Sequence, residues 1–159
     1  MNAIRFVLPV VAAAITTVSA SAQTATQDVS FEVQAISQIA FTGSPSLVIS
    51  SATSGSAPNS ATANATYAIT TNETGRKVTA SIDSDMPAGA TLSVALAAPT
   101  GGTTAGAVVL SSTAADVVSG ISTLSESGLS VTYTLEATAA AGVLPASTRT
   151  VTYTIVAGA

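Results

Sequence analysis

The stretches VTYTLEAT, residues 131–138, and VTYTIVAG, residues 151–158, decide the fold class of this chain. Val131, Tyr133 and Leu135 point to one side of an extended backbone, and Thr132, Thr134 and Glu136 to the other. Val151, Tyr153 and Ile155 repeat the phase, alternating with Thr152 and Thr154. Successive side chains of a strand face opposite sides, so this period-two pattern predicts two half-buried strands. The Gly-, Pro-, Ala- and Ser-rich break between them, 139–147, is too long for a tight turn. The two strands therefore form a long-looped hairpin or lie in facing sheets. Either way their apolar faces supply the surface on which the other strands pack.

The same alternation extends upstream. Ala63, Ala65, Tyr67 and Ile69 mark one strand; Val78, Ala80 and Ile82 mark another, over 77–83; Leu92, Val94 and Leu96 mark a third. Shorter strands are expected at 46–50 and 108–110. Val29, Phe31 and Val33 alternate with Ser30, Glu32 and Gln34, a pattern that continues through Ile36 and Ile39 to Phe41 and reads as the first strand. The turn signals are TGSP at 42–45, PAG at 87–89 and a flexible loop at 99–106. TNETG at 71–75 reads as a hairpin-type connection, with Gly75 available for positive φ. Residues 112–120 contain Ala-Ala-Asp-Val-Val and are expected to form a single helical turn capped by Ser112 or Thr113. Residues 124–128 read as a polar connection. Seven or eight short strands without a long helical period predict an all-β, Ig-like antiparallel β-sandwich, with a small closed barrel as the alternative.

Of 159 residues, 47% are hydrophobic and only 8% charged. Part of that apolarity is N-terminal. Arg5 is followed by an apolar run from Phe6 to Val18 and then by Ala20-Ser21-Ala22, the order of charge, apolar core and small-residue cleavage site in a secretory signal peptide. The run is too short for a membrane span, which needs about 20 apolar residues. Residues 1–22 are thus the expected leader and 23–159 a single domain. The expected location is exported: periplasm, cell surface or extracellular medium, with no stable membrane span after cleavage. Four basic side chains, one of them in the leader, face eight acidic ones without clustering, so nucleic acid is not an expected partner. The chain has no Cys, so the fold stands on packing and strand hydrogen bonds.

Chemistry has few places to reside. Without His or Cys, nucleophilic catalysis would need a Ser–Lys pair, and Lys77, the only Lys, sits beside Arg76 at a strand start. Asp83 and Asp85 bracket Ser84 at a strand end, where Asp commonly accepts turn hydrogen bonds; the alternatives are a weak Ca²⁺ site or paired carboxylates. Gly101, Gly102 and Gly106 lack the Lys-Ser/Thr of a phosphate loop. Asn64-Ala65-Thr66 and Asn72-Glu73-Thr74 match the short glycosylation pattern. Tyr67, Tyr133 and Tyr153 occupy the apolar phase of their strands, which makes them core residues rather than a sugar-binding platform. No catalytic, metal or cofactor-binding residue is expected, and the protein is read as non-enzymatic.

Three segments resemble exported bacterial fimbrial-type subunits of the cysteine-free kind. TTNETGRKVTASID, 70–83, is a strand, a polar TN-x-x-x-x-K turn and a second strand. PASTRTVTYTIVAGA, 145–159, is a small-residue turn and an alternating last strand. DVSFEVQA, 28–35, looks like the extension by which such subunits complete a neighbour's fold. The resemblance covers about half of the mature chain. It implies an Ig-like fold, surface assembly and handling by a periplasmic chaperone, and it transfers no catalytic or ligand-binding residue. The expected function is a structural or adhesive surface protein that self-associates or joins related surface subunits, with Val29, Phe31 and Val33 as the candidate donor strand. That segment can equally serve as the first strand of its own sandwich. The alternative function is a free-standing carbohydrate- or polymer-binding module.

Overall fold

A computed structural model describes residues 22–158. The expected leader, 1–22, lies outside the described residues except for Ala22. The chain divides into two units, residues 1–32 and 33–159. The described part of the first unit, 22–32, has no regular secondary structure and is exposed throughout. The second unit is an antiparallel β-sandwich. Its strands are β1 (Ser37–Thr42), β2 (Ala61–Thr71), β3 (Arg76–Ile82), β4 (Ala90–Leu96), β5 (Thr103–Thr104), β6 (Val108–Val109), β7 (Ala115–Ile121), β8 (Leu124–Ala137) and β9 (Val151–Ala157). They form a five-stranded sheet of order β1-β2-β8-β4-β6 and a four-stranded sheet of order β5-β7-β3-β9.

The two Thr-rich stretches lie in facing sheets. β8 runs up the middle of the larger sheet, with Tyr133 opposite Ala63 on one side and Val94 on the other. β9 lies at the edge of the smaller sheet, with Tyr153 opposite Ala80. The phase is as the alternation predicts: Val131 and Tyr133 are buried, and Val151, Tyr153 and Ile155 pack against the same core. Inward residues of β2 (Tyr67, Ile69), β3 (Val78, Ala80, Ile82), β4 (Leu92, Val94, Leu96) and β7 (Val117, Val118, Ile121) complete it. Each large apolar side chain removed from water in this way contributes about 1.5–3 kcal/mol. With no disulfide among the strands, this burial and the strand ladders carry the stability.

Several elements differ from the sequence expectation. Residues 115–121 are a strand, β7, and not a helical turn. Residues 124–128 are the start of β8 and not a connection, and 46–50 form no strand, although Leu47 packs against the core. The segment from Val29 to Val33 is in no strand; regular pairing begins only at Ser37, which lies opposite Thr71. The TNETG turn is not a hairpin either. It carries the chain from β2 in one sheet to β3 in the other, and Gly75 takes φ 64°, a left-handed conformation that suits glycine.

Candidate functional site

The sandwich is open along one side. β1 ends the larger sheet and β9 ends the smaller one, and the two strands face each other, because Phe41 of β1 stacks on Tyr153 of β9. Each has one neighbour, β2 or β3, and its outer edge carries backbone N–H and C=O groups without a strand partner. The inward side chains here are apolar: Ile39 and Phe41 from β1, and Val151, Tyr153 and Ile155 from β9. All five pack against the core yet stay only half-buried. A shallow depression of about 580 Å³ lies against β1 and β2, lined by residues 37–40 and 68–70.

An aromatic row floors this seam. The Phe41 ring lies 3.9 Å from Tyr153, centroid to centroid, and 5.6 Å from Tyr67, with interplanar angles of 18° and 20°. The Tyr133 and Tyr153 hydroxyls share a hydrogen bond of 2.8 Å that ties the two sheets together, and the Tyr67 hydroxyl donates to the Ala97 carbonyl at 2.6 Å. Burial pushes the Tyr67 phenol up to about 12, and the negative charge of Glu126 adds to the rise. Burial also raises Tyr133 and Tyr153. Their shared hydrogen bond favours ionisation of Tyr133 and opposes that of Tyr153. At neutral pH the row is therefore uncharged. With Tyr67 only 1% exposed and Tyr133 7%, neither presents a face for stacking a sugar from solution.

The candidate donor residues have the opposite character. Val29 is 76% exposed, Phe31 92% and Val33 79%. For Phe31 this leaves nearly the whole ring in water, the costliest placement for an apolar side chain. Local alternation in the sequence marks this segment. It does not reveal the seam, whose two walls are contributed by residues 37–42 and 151–157.

The polar candidates are committed to holding loops. The Asp83 Oδ1 accepts from the Ser84 and Thr150 amides, at 3.0 and 3.2 Å, and the Asp85 Oδ1 accepts from the Ser112 amide at 2.6 Å. That backbone N–H, with the Ser112 side chain second, holds the Asp85 carboxyl below its usual range. Lys77 is ion-paired with Asp116 at 3.0 Å. Among the described residues, no three His, Cys, Asp or Glu side chains are grouped to hold a metal, and no helix is long and apolar enough to cross a membrane. No family model matches this chain, and no curated protein or solved structure matches it either.

Proposed function

We propose that this protein is a non-enzymatic, exported structural subunit that assembles by strand donation, Val29, Phe31 and Val33 of one copy seating in the β1–β9 seam of another copy or of a related surface subunit. The observation that supports this reading is a complementary pair of defects. One seam is lined by half-buried apolar side chains and two free edges, and one alternating apolar segment has no strand of its own. An added strand satisfies both, giving main-chain hydrogen bonds to the edges and alternate side chains to the apolar floor. The lengths agree. From Val29 to Val33 an extended chain spans about 13 Å, within the reach of walls six and seven residues long. Burying the three side chains contributes about 5–8 kcal/mol of apolar transfer. In this reading the leader routes the chain out of the cytoplasm, and the secreted form begins at Gln23.

Light scattering on the protein beginning at Gln23 tests the reading. Mass should rise with concentration, and Phe31→Asp should keep the chain monomeric without unfolding it, since that ring is exposed. A peptide spanning residues 28–35 should bind the Phe31→Asp chain in trans. A wild-type chain that stays monomeric at high concentration and captures no peptide would overturn strand donation.

A further inference from the structure

We propose that Asn72 is the positioning residue of the donated segment: its side-chain amide impersonates missing strand backbone and fixes the root from which Val33, Phe31 and Val29 run. This deepens the assembly reading and rests on it. The geometry is specific. β1 and β2 pair up to Ser37 opposite Thr71, after which β2's chain turns away toward the other sheet. A further antiparallel pair would require Ile36 and Asn72 to exchange two main-chain bonds. One is made normally, the Asn72 amide donating to the Ile36 carbonyl at 3.1 Å. The other is made by the side chain: the Ile36 amide donates to Asn72 Oδ1 at 2.7 Å. Asn72 Nδ2 then donates to the Gln34 carbonyl at 2.7 Å, in the place of the next amide of a continuing strand. Both polar atoms of one side chain are thus spent on the backbone of Ile36 and Gln34, immediately upstream of the ladder that begins at Ser37.

The turn that carries Asn72 is itself anchored. Ser37 Oγ bonds Thr71 Oγ1 at 2.9 Å and Glu73 Oε2 at 2.8 Å, Glu73 pairs with Arg76, the Thr123 amide donates to the Glu73 carbonyl at 3.0 Å, and the Gly158 amide donates to the Gly75 carbonyl at 2.6 Å. The clasp is therefore built on a fixed base, and Gln34 is the last residue it holds. Ordering backbone costs free energy at every residue. A root already held by these bonds spares that cost for residues 34–36 when the segment docks, which is pre-organisation of the donor. The clasp touches no residue of the acceptor seam's aromatic row, so donor and acceptor roles separate experimentally.

The test uses the full chain from Gln23 with Asn72→Ala and Asn72→Asp. In the alanine variant, amide exchange at Ile36 should accelerate about tenfold, the equivalent of one lost hydrogen bond. Self-association should weaken about tenfold or more, while capture of the 28–35 peptide stays at the wild-type level because the seam is intact. Aspartate retains an acceptor for Ile36 but loses the donor to Gln34, so it should keep Ile36 protected and still weaken self-association. Unchanged Ile36 exchange in the alanine variant, or self-association equal to or stronger than wild type, overturns the role of Asn72 and leaves strand donation standing. Failure of the wild-type chain both to associate and to capture peptide overturns the two together.

Discussion

The two long seams of this sandwich are both lined by apolar residues and finished in different ways. At one, the sheets end in two-residue strands, β5 and β6, and behind them Val94, Leu110, Val117 and Val118 are 1, 3, 0 and 1% exposed. At the other, the sheets end in β1 and β9, six and seven residues long, and Ile39, Phe41, Val151, Tyr153 and Ile155 stay half-buried behind them. A short edge gives a foreign strand little to pair with, whereas a long one is a template. The closed seam is thus the better buried of the two, and the open one leaves two long strand edges unpaired. Val lines both, while Phe41 and Tyr153 set the open seam apart; the difference in burial goes with what is stacked outside.

Truncating an aromatic ring gives the largest effect and can break the comparison outright. Tyr67 is 1% exposed and bonded through its hydroxyl, so Tyr67→Ala should cost about 3–5 kcal/mol in urea unfolding. Tyr153, half-buried on the open side, should cost clearly less in the monomer, about 1–3 kcal/mol. Equal losses would mean that the β9 side is as well packed as the centre and that no seam is open.

Phe41 sharpens the comparison from the side of binding. Its ring stacks on Tyr153 at the mouth of the seam. Phe41→Ala should lower monomer stability by only about 1–2 kcal/mol. It should weaken capture of the 28–35 peptide about tenfold, read by fluorescence anisotropy. Full peptide affinity in a folded Phe41→Ala chain would place the bound strand somewhere other than beside Phe41.

How legible these features are depends on whether the local chain keeps a period of two. β2, β3, β4, the second half of β8 and β9 keep it, and the inward phase of Tyr133 and Tyr153 follows directly. β7 does not. Its pairing with β3 shifts register on both sides of Val78, so the consecutive Val117 and Val118 are both buried, and Ala-Ala-Asp-Val-Val looks helical rather than alternating. The start of β8 is hidden by Ser125, Glu126 and Ser127, and by a register shift between Tyr67 and Ile69 opposite it. The alternation of Val29, Phe31 and Val33 is visible because it is local. The seam is not, because it depends on which strands end their sheets, and that is decided by pairings between residues far apart in the chain. Asn72 is visible as part of a turn and of a short glycosylation pattern; nothing local shows that its amide reaches back to Gln34 and Ile36.

The smallest effect concerns the one hydrogen bond that joins the sheets within the aromatic row. Tyr133 and Tyr153 sit in opposite sheets, and their hydroxyls are 2.8 Å apart. Replacing either by Phe should cost about 0.5–1.5 kcal/mol, and the double variant should cost little more than one single, because the bond is lost only once. Strictly additive losses would show that the hydroxyls act separately. pH supplies a second reading of the same bond. Burial raises both phenols above their ordinary value near 10, so the folded state favours their neutral forms. That contribution is complete below the unfolded value and is lost as pH rises through the folded ones. Alkaline titration of stability should therefore be flat up to about pH 10 and fall above it. In the double Phe variant the fall should shrink to the part that belongs to Tyr67, whose phenol titrates at about 12. An undiminished fall would assign the alkaline loss to groups outside the seam.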